Sequence, residues 1–203
     1  LRAVRFLYRK INKMEIKVKK AKISKGGRVE ASYTDVDGNE ITLKGKNVCH
    51  NDLKVATAKL IPYFADLTEQ KESDFINWKD LDSVENIDLL RKIEVTGVSI
   101  GGDDMNPIVT LTGKRTLNTS KVLNINTPGV ELNSETLDWI HIDDFDVAVQ
   151  GFFYEVGLYI TDRKWQVVQS EINFDVDPDD PFAVVRPAED IPIEEEELVE
   201  SIA

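Results

Sequence analysis

From Ile16 onward the chain alternates apolar and polar residues in short runs broken by glycine-bearing turns, and that period of two commits its first stretch to β-structure. Ile16 and Val18 alternate with Lys17 and Lys19, Ser24-Lys25-Gly26-Gly27 supplies a turn, and Val29, Ala31 and Tyr33 alternate with Arg28, Glu30 and Ser32. A second turn, Asp35-Val36-Asp37-Gly38-Asn39, contains the Asp-Gly pair favoured in tight hairpins, and Ile41 and Leu43 open a third run. The pattern is that of a three-stranded meander. Lys20 and Lys22 fall on the opposite face from the phase set by Lys17 and Lys19, a slip that a bulge or a frayed edge absorbs.

The period then lengthens. Leu53, Ala56, Leu60, Tyr63, Phe64 and Leu67 recur at helical spacing, Asn51 is placed to cap them, and Pro62 predicts a kink or break near Leu60. Residues 68–92 form a polar, acidic connection around Trp78, with Asp82-Ser83-Val84-Glu85 in capping-box form before a short helix ending near Lys92. Strand patterns return at Ile93, Val95, Val98 and Ile100, at Ile108 to Leu111, and at Val122, Leu123 and Ile125, with a turn at Gly101-Gly102-Asp103-Asp104. A long helix should follow, carrying Phe145, Val149, Phe152, Val156 and Tyr159 on one face and capped by Asp143 and Asp146.

The expected fold class is α+β: antiparallel sheet with two main helices packed on one face. The domain spans 14–174, with halves 14–67 and 93–172 joined by 68–92. DLKVATAKLIPYF and DFDVAVQGFFYEV occupy equivalent places, so the order reads as a pseudo-duplicated three-strand-plus-helix unit, although any chain with two meanders shares it. The apolar run from Trp165 to Ile172 reads as a last short strand.

Both ends stand apart in charge. Residues 1–13 carry Arg2, Arg5, Arg9, Lys10 and Lys13 without an acid, a net +5. They read as a basic extension, either foreign to the native protein or an amphipathic arm with Leu1, Val4, Leu7, Tyr8 and Ile11 on one side. Residues 171–203 sum to −11 of the chain's −12. Residues 175–203 hold Pro178, Pro181, Pro187 and Pro192 among many acids, a composition expected to stay disordered.

Little in the chain resembles catalytic chemistry. No apolar run approaches the roughly 18 residues of a membrane span, and a single Cys49 forms no internal disulfide, so a cytoplasmic protein with no membrane partner is expected. Cys49-His50 with distant His141 lacks zinc-ligand spacing, and adjacent side chains make a poor nucleophile–base pair. The acidic runs beginning at Asp175 and at Asp35 miss the glycine and glutamate of a calcium loop. Asp103, Asp104, Asp143, Asp144 and Asp146 fit turns and helix starts better than acid–base work. Phosphate-binding glycine loops are absent. The chain is therefore read as non-enzymatic, with no catalytic residue, metal site or cofactor.

A binding role has more support. Residues 14–50 are locally +3, and Lys17, Lys19, Lys20, Lys22, Lys25, Arg28, Lys44 and Lys46, with Tyr33 for stacking, form a candidate site for a single-stranded nucleic acid. Edge-strand lysines also protect sheets from aggregation. In the tail, Glu194, Glu195, Glu196 and Glu197 precede Leu198, Val199 and Ile202, a composition similar to the tail of single-stranded DNA-binding proteins. That resemblance, confined to the tail, implies a segment that occupies the basic site or recruits a protein partner. The expected function is thus an accessory binding protein with an acidic regulatory tail. The alternative is a structural or assembly protein, for instance of a virus-like particle, forming homo-oligomers through Phe152, Phe153, Tyr154 and Tyr159.

Overall fold

The computed structural model describes residues 16–103, 105–132 and 139–166. The alternating runs become β1 (Lys17–Ile23), β2 (Arg28–Thr34) and β3 (Glu40–Val48), paired antiparallel in sequence order. The second half supplies β4 (Ile93–Gly102), β5 (Pro107–Thr116), β6 (Val122–Asn126) and a two-residue β7 (Val130–Glu131) that the sequence pattern did not announce. All seven form one antiparallel sheet of order β3-β2-β1-β4-β5-β6, with β7 also on β5. The two meanders meet along β1 and β4, so the order is symmetric about that seam.

The phase slip is resolved by a bulge. Val18 pairs with Tyr33 and Lys20 with Ser32, which leaves Lys19 as the extra residue. With it, Val18, Ala21 and Ile23 share one face, while Lys20 and Lys22 take the other.

Helices cover the first of these faces. The expected break divides the first helix into α1 (Asn51–Ala58) and α2 (Ile61–Leu67), and Pro62 falls in the first turn of α2, where its missing N–H costs no hydrogen bond. The cap differs from expectation: His50, rather than Asn51, receives the Asp52 amide on Nδ1 at 3.3 Å. A 3₁₀ turn (Lys71–Phe75) and α3 (Val84–Leu89) form the connection. Ser83 caps α3, and Asn86 inside it is buried because its amide group bonds Asn77 and Asp80, stitching the connecting loop to the helix. The long helix is α4 (Ile142–Thr161), with His141 at its cap position rather than Asp143 or Asp146.

One core joins these layers. Ala21, Val29, Ala31, Val98, Val109 and Leu111 from the sheet are buried with Leu53, Leu60, Phe64, Phe145, Val149, Phe152 and Val156 from the helices. Phe153 and Tyr159 are buried there too and Tyr154 is half-buried, so the aromatic cluster expected to serve assembly is chiefly core.

Close approach is secured by glycine at two points. A Cβ on Gly113 would stand 2.7 Å from the Phe64 ring and 2.6 Å from the Glu94 carbonyl oxygen. On Gly45 it would strike Tyr159, whose hydroxyl donates to the Asn47 carbonyl at 2.8 Å. On the same helix-facing side, Arg115 of β5 reaches Glu72 through two bonds of 2.6 and 2.7 Å and Gln70 through one of 2.6 Å. These bonds hold the Glu72 carboxyl below its ordinary range despite partial burial.

Gly113→Ala should cost about 1–3 kcal/mol of unfolding free energy, because overpacking against a ring and a carbonyl has no easy relief; urea denaturation measures it. Glu72→Gln should cost about 1–2 kcal/mol near neutral pH, between the values for exposed and buried pairs. Because Arg115 lowers the folded-state pKa of Glu72, that contribution is complete above the unfolded carboxylate value of about 4.3. It shrinks as pH falls towards and through the folded value. Denaturation curves of the two proteins should therefore converge in acid.

Candidate nucleic-acid interface

Strand parity sorts the basic residues. Ala21, Ala31 and Leu43 pair across β1, β2 and β3 on the helix-covered face, so their neighbours point outward. One outward row is Thr42, Ser32, Lys20, Ser99 and Thr110, running from β3 through β2, β1 and β4 to β5. The next is Lys44, Glu30, Lys22, Gly97, Thr112 and Asn126. Arg28 precedes buried Val29, and Lys46 follows helix-facing Gly45, so both join this outer face. Lys17, opposite Thr34, lies there as well.

Beyond the strands, Lys25 sits in the β1–β2 turn. That turn is closed by Gly27 N–H to the Ser24 carbonyl at 2.8 Å and by the Arg28 amide to Ser24 Oγ at 3.1 Å. Gly27 takes φ +73°, a left-handed conformation glycine tolerates, and its missing side chain lets Val48 and Lys54 crowd the turn. Lys54, on α1, thus stands beside the turn on the helix side of the sheet, next to buried Cys49, and not on the outer face.

Most of these charges are unspent. Among the described residues, Lys20, Lys22, Lys25, Arg28, Lys44, Lys46 and Lys54 enter no ion pair. Lys19 does: it is bonded to Glu40, which lowers the Glu40 pKa. Glu30 is then the one carboxylate left among the outward positions of β1–β3. Across the seam the same face lacks an unpaired cation among the described residues, with Lys114 paired to Glu94 at 2.9 Å, Ser99, Thr110, Thr112, Asn124 and Asn126 around them, and Glu131 exposed on β7.

Tyr33 is not part of this surface. It pairs with Val18 and Ile41 in the register that follows Ala31, which turns its ring to the helix side, away from Lys20, Lys22 and Lys44. The tail residues Glu194, Glu195, Glu196, Glu197, Leu198, Val199 and Ile202 lie outside the described residues, as do residues 1–15 and all but the first two residues of the expected Trp165–Ile172 strand. Trp165 itself makes an antiparallel bridge to Cys49.

The other polar candidates have structural tasks. Cys49 is buried, and burial pushes its thiol up. His50 caps α1, whose Asp52 meets Lys164 at 2.6 Å just past the far end of α4. Lys164 also holds Glu155 at 2.7 Å. His141 lies at the start of α4, stacked on Trp78 with ring centroids 3.5 Å apart. Twenty residues of helix, about 30 Å, thus separate the two histidines. Asp35 and Asp103 accept the amides of their own turns, and Asp143 and Asp144 occupy the first turn of α4. Among the described residues no group of three His, Cys, Asp or Glu is placed to hold a metal ion, and no helix is long and apolar enough to cross a membrane. No protein-family model matches the chain, and no curated protein or solved structure is significantly similar to it.

Proposed function

We propose that the chain is a non-enzymatic accessory protein that binds single-stranded nucleic acid across the outer face of β1–β3, with the acidic tail competing for the same cations. The observation that carries the reading is a set of cations that, among the described residues, enter no ion pair and share the sheet face opposite the helices: Lys20, Lys22, Arg28, Lys44 and Lys46, extended by Lys25 in the turn. Cations two residues apart on a strand are spaced about 7 Å, and neighbouring strands about 4.8 Å, so an extended strand can meet several at once. A single strand suits the face better than a duplex. Six strands at that spacing measure about 24 Å across, too wide for a major groove of about 12 Å.

A second reading, self-association, rests on the β6 edge, where Val122 and Leu123 are 54% and 49% exposed. Such an edge offers unpaired backbone groups to another copy. Under that reading the molecular mass rises with concentration and Leu123→Lys returns it to the monomer value.

Anisotropy of a labelled single-stranded oligonucleotide, titrated at several salt concentrations, tests the first reading. The full chain should bind weakly at low salt, and the chain ending at Phe174 more tightly. Replacing Lys22 and Lys44 by Gln should flatten the log–log salt slope by about 1.4, the counterion release of two phosphate contacts. Absence of salt-sensitive binding by either chain would sink the proposal.

A further inference from the structure

We infer that this face recognises the sugar-phosphate chain and is blind to the bases, an inference that rests on the nucleic-acid reading above. Proteins that hold single strands through their bases do so with aromatic rings on the exposed surface, each stack contributing about 1–3 kcal/mol. The seven strands described contain one aromatic residue, Tyr33, and its register turns it towards the helices. Every other ring of the described chain belongs to a helix, the 3₁₀ turn or a connecting segment.

What faces outward instead is suited to phosphate oxygens. Lys20 is flanked by Ser32 and Ser99, and Lys22 by Gly97 and Glu30, with Lys44 beyond Glu30. Ammonium groups meet a phosphate as point charges, and hydroxyls donate to it, but neither discriminates among bases. Side chains able to read a base edge bidentately are sparse: Arg28 stands alone at the turn end of β2, and Asn124 and Asn126 lie on β6, three strands from β1 and about 14 Å away. The ligand class is therefore a linear chain of closely spaced phosphates. Nucleic acid and inorganic polyphosphate share that chemistry.

The test uses the full chain at low salt and three probes: a labelled mixed-sequence oligodeoxynucleotide, a labelled abasic strand of the same length, and unlabelled inorganic polyphosphate as competitor. The two labelled strands should bind within about twofold of each other, since even one lost stack of 1 kcal/mol would give about fivefold. Tyr33→Leu should bind the oligonucleotide as the parent does. Competition by polyphosphate at equal phosphate concentration would assign recognition to bare phosphate charge, and failure to compete would assign it to the sugar-phosphate spacing; both support a base-blind site. Tight binding of the base-bearing strand with fivefold or greater loss on the abasic strand overturns the inference and leaves the nucleic-acid reading standing. Binding of neither strand overturns both.

Discussion

Three residue pairs hold the two halves of this protein in one sheet: Lys20 with Ser99, Ala21 with Val98 and Lys22 with Gly97. They are the contacts of β1 with β4, far apart in the chain, and they decide which side of the first meander faces water. The seam is tight. A side chain at Gly97 would place its first carbon 2.9 Å from the Ala21 carbonyl oxygen. Ala21 and Val98 meet in the core, so Lys20 and Lys22 must project from the opposite surface, where β4 offers only Ser99 and Gly97 beside them. A larger residue there would shade the cations or pair with them.

A clustered positive face burdens the fold, because like charges on adjacent strands repel. The register relieves this in a specific way. Lys22 and Lys44 do not face each other; Glu30 stands between them on β2, opposite both. Lys20 is likewise bordered by Ser32 and Ser99 rather than by another cation. Lys19, displaced by the bulge, has its charge answered by Glu40. Antiparallel sheets tolerate one wet face provided the other is covered, and here α1, α2 and α4 cover it. Among the described residues Lys20, Arg28 and Lys46 thus stay without an ion pair, while Lys22 and Lys44 share Glu30 as their cross-strand neighbour.

Much of this was legible in the residues themselves. Alternation located β1, β2 and the first half of β3, the misplaced phase of Lys20 pointed to a bulge or a frayed edge, and Pro62 to a kink or break near Leu60; the structure has the bulge and the break. The position of Tyr33 was legible too: it continues Val29 and Ala31 on the apolar side, so grouping it with the lysines as a stacking partner ran against the same alternation that defined the strand. Other features depend on tertiary placement. Nothing local says that β1 pairs with β4, that α1 delivers Lys54 to the Gly27 turn, or that Thr127 bonds the Leu111 amide through its hydroxyl and so interrupts the edge between β6 and β7. His50 displaced Asn51 as the cap of α1 because the helix begins one residue earlier than the favoured cap residue suggested, at Asn51 itself.

The overall charge of −12 and the local positive face are not in conflict, because they act over different distances. At physiological ionic strength the screening length is about 8 Å, comparable with the spacing of two strands, so under the proposed reading a polyanion close to β1–β3 senses Lys20, Lys22, Arg28 and Lys44, with Glu30 between two of them, more than charges several strands away. At low ionic strength that length grows to roughly 30 Å at 0.01 M, and the field of the whole molecule, including its acidic end, extends to an approaching strand. Lowering salt therefore strengthens the contacts at the face while also strengthening the long-range repulsion that opposes the encounter. Under the nucleic-acid reading proposed above, an anion extended and narrow enough to lie along the rows of Lys20 and Lys22 gains the first effect without the full burden of the second.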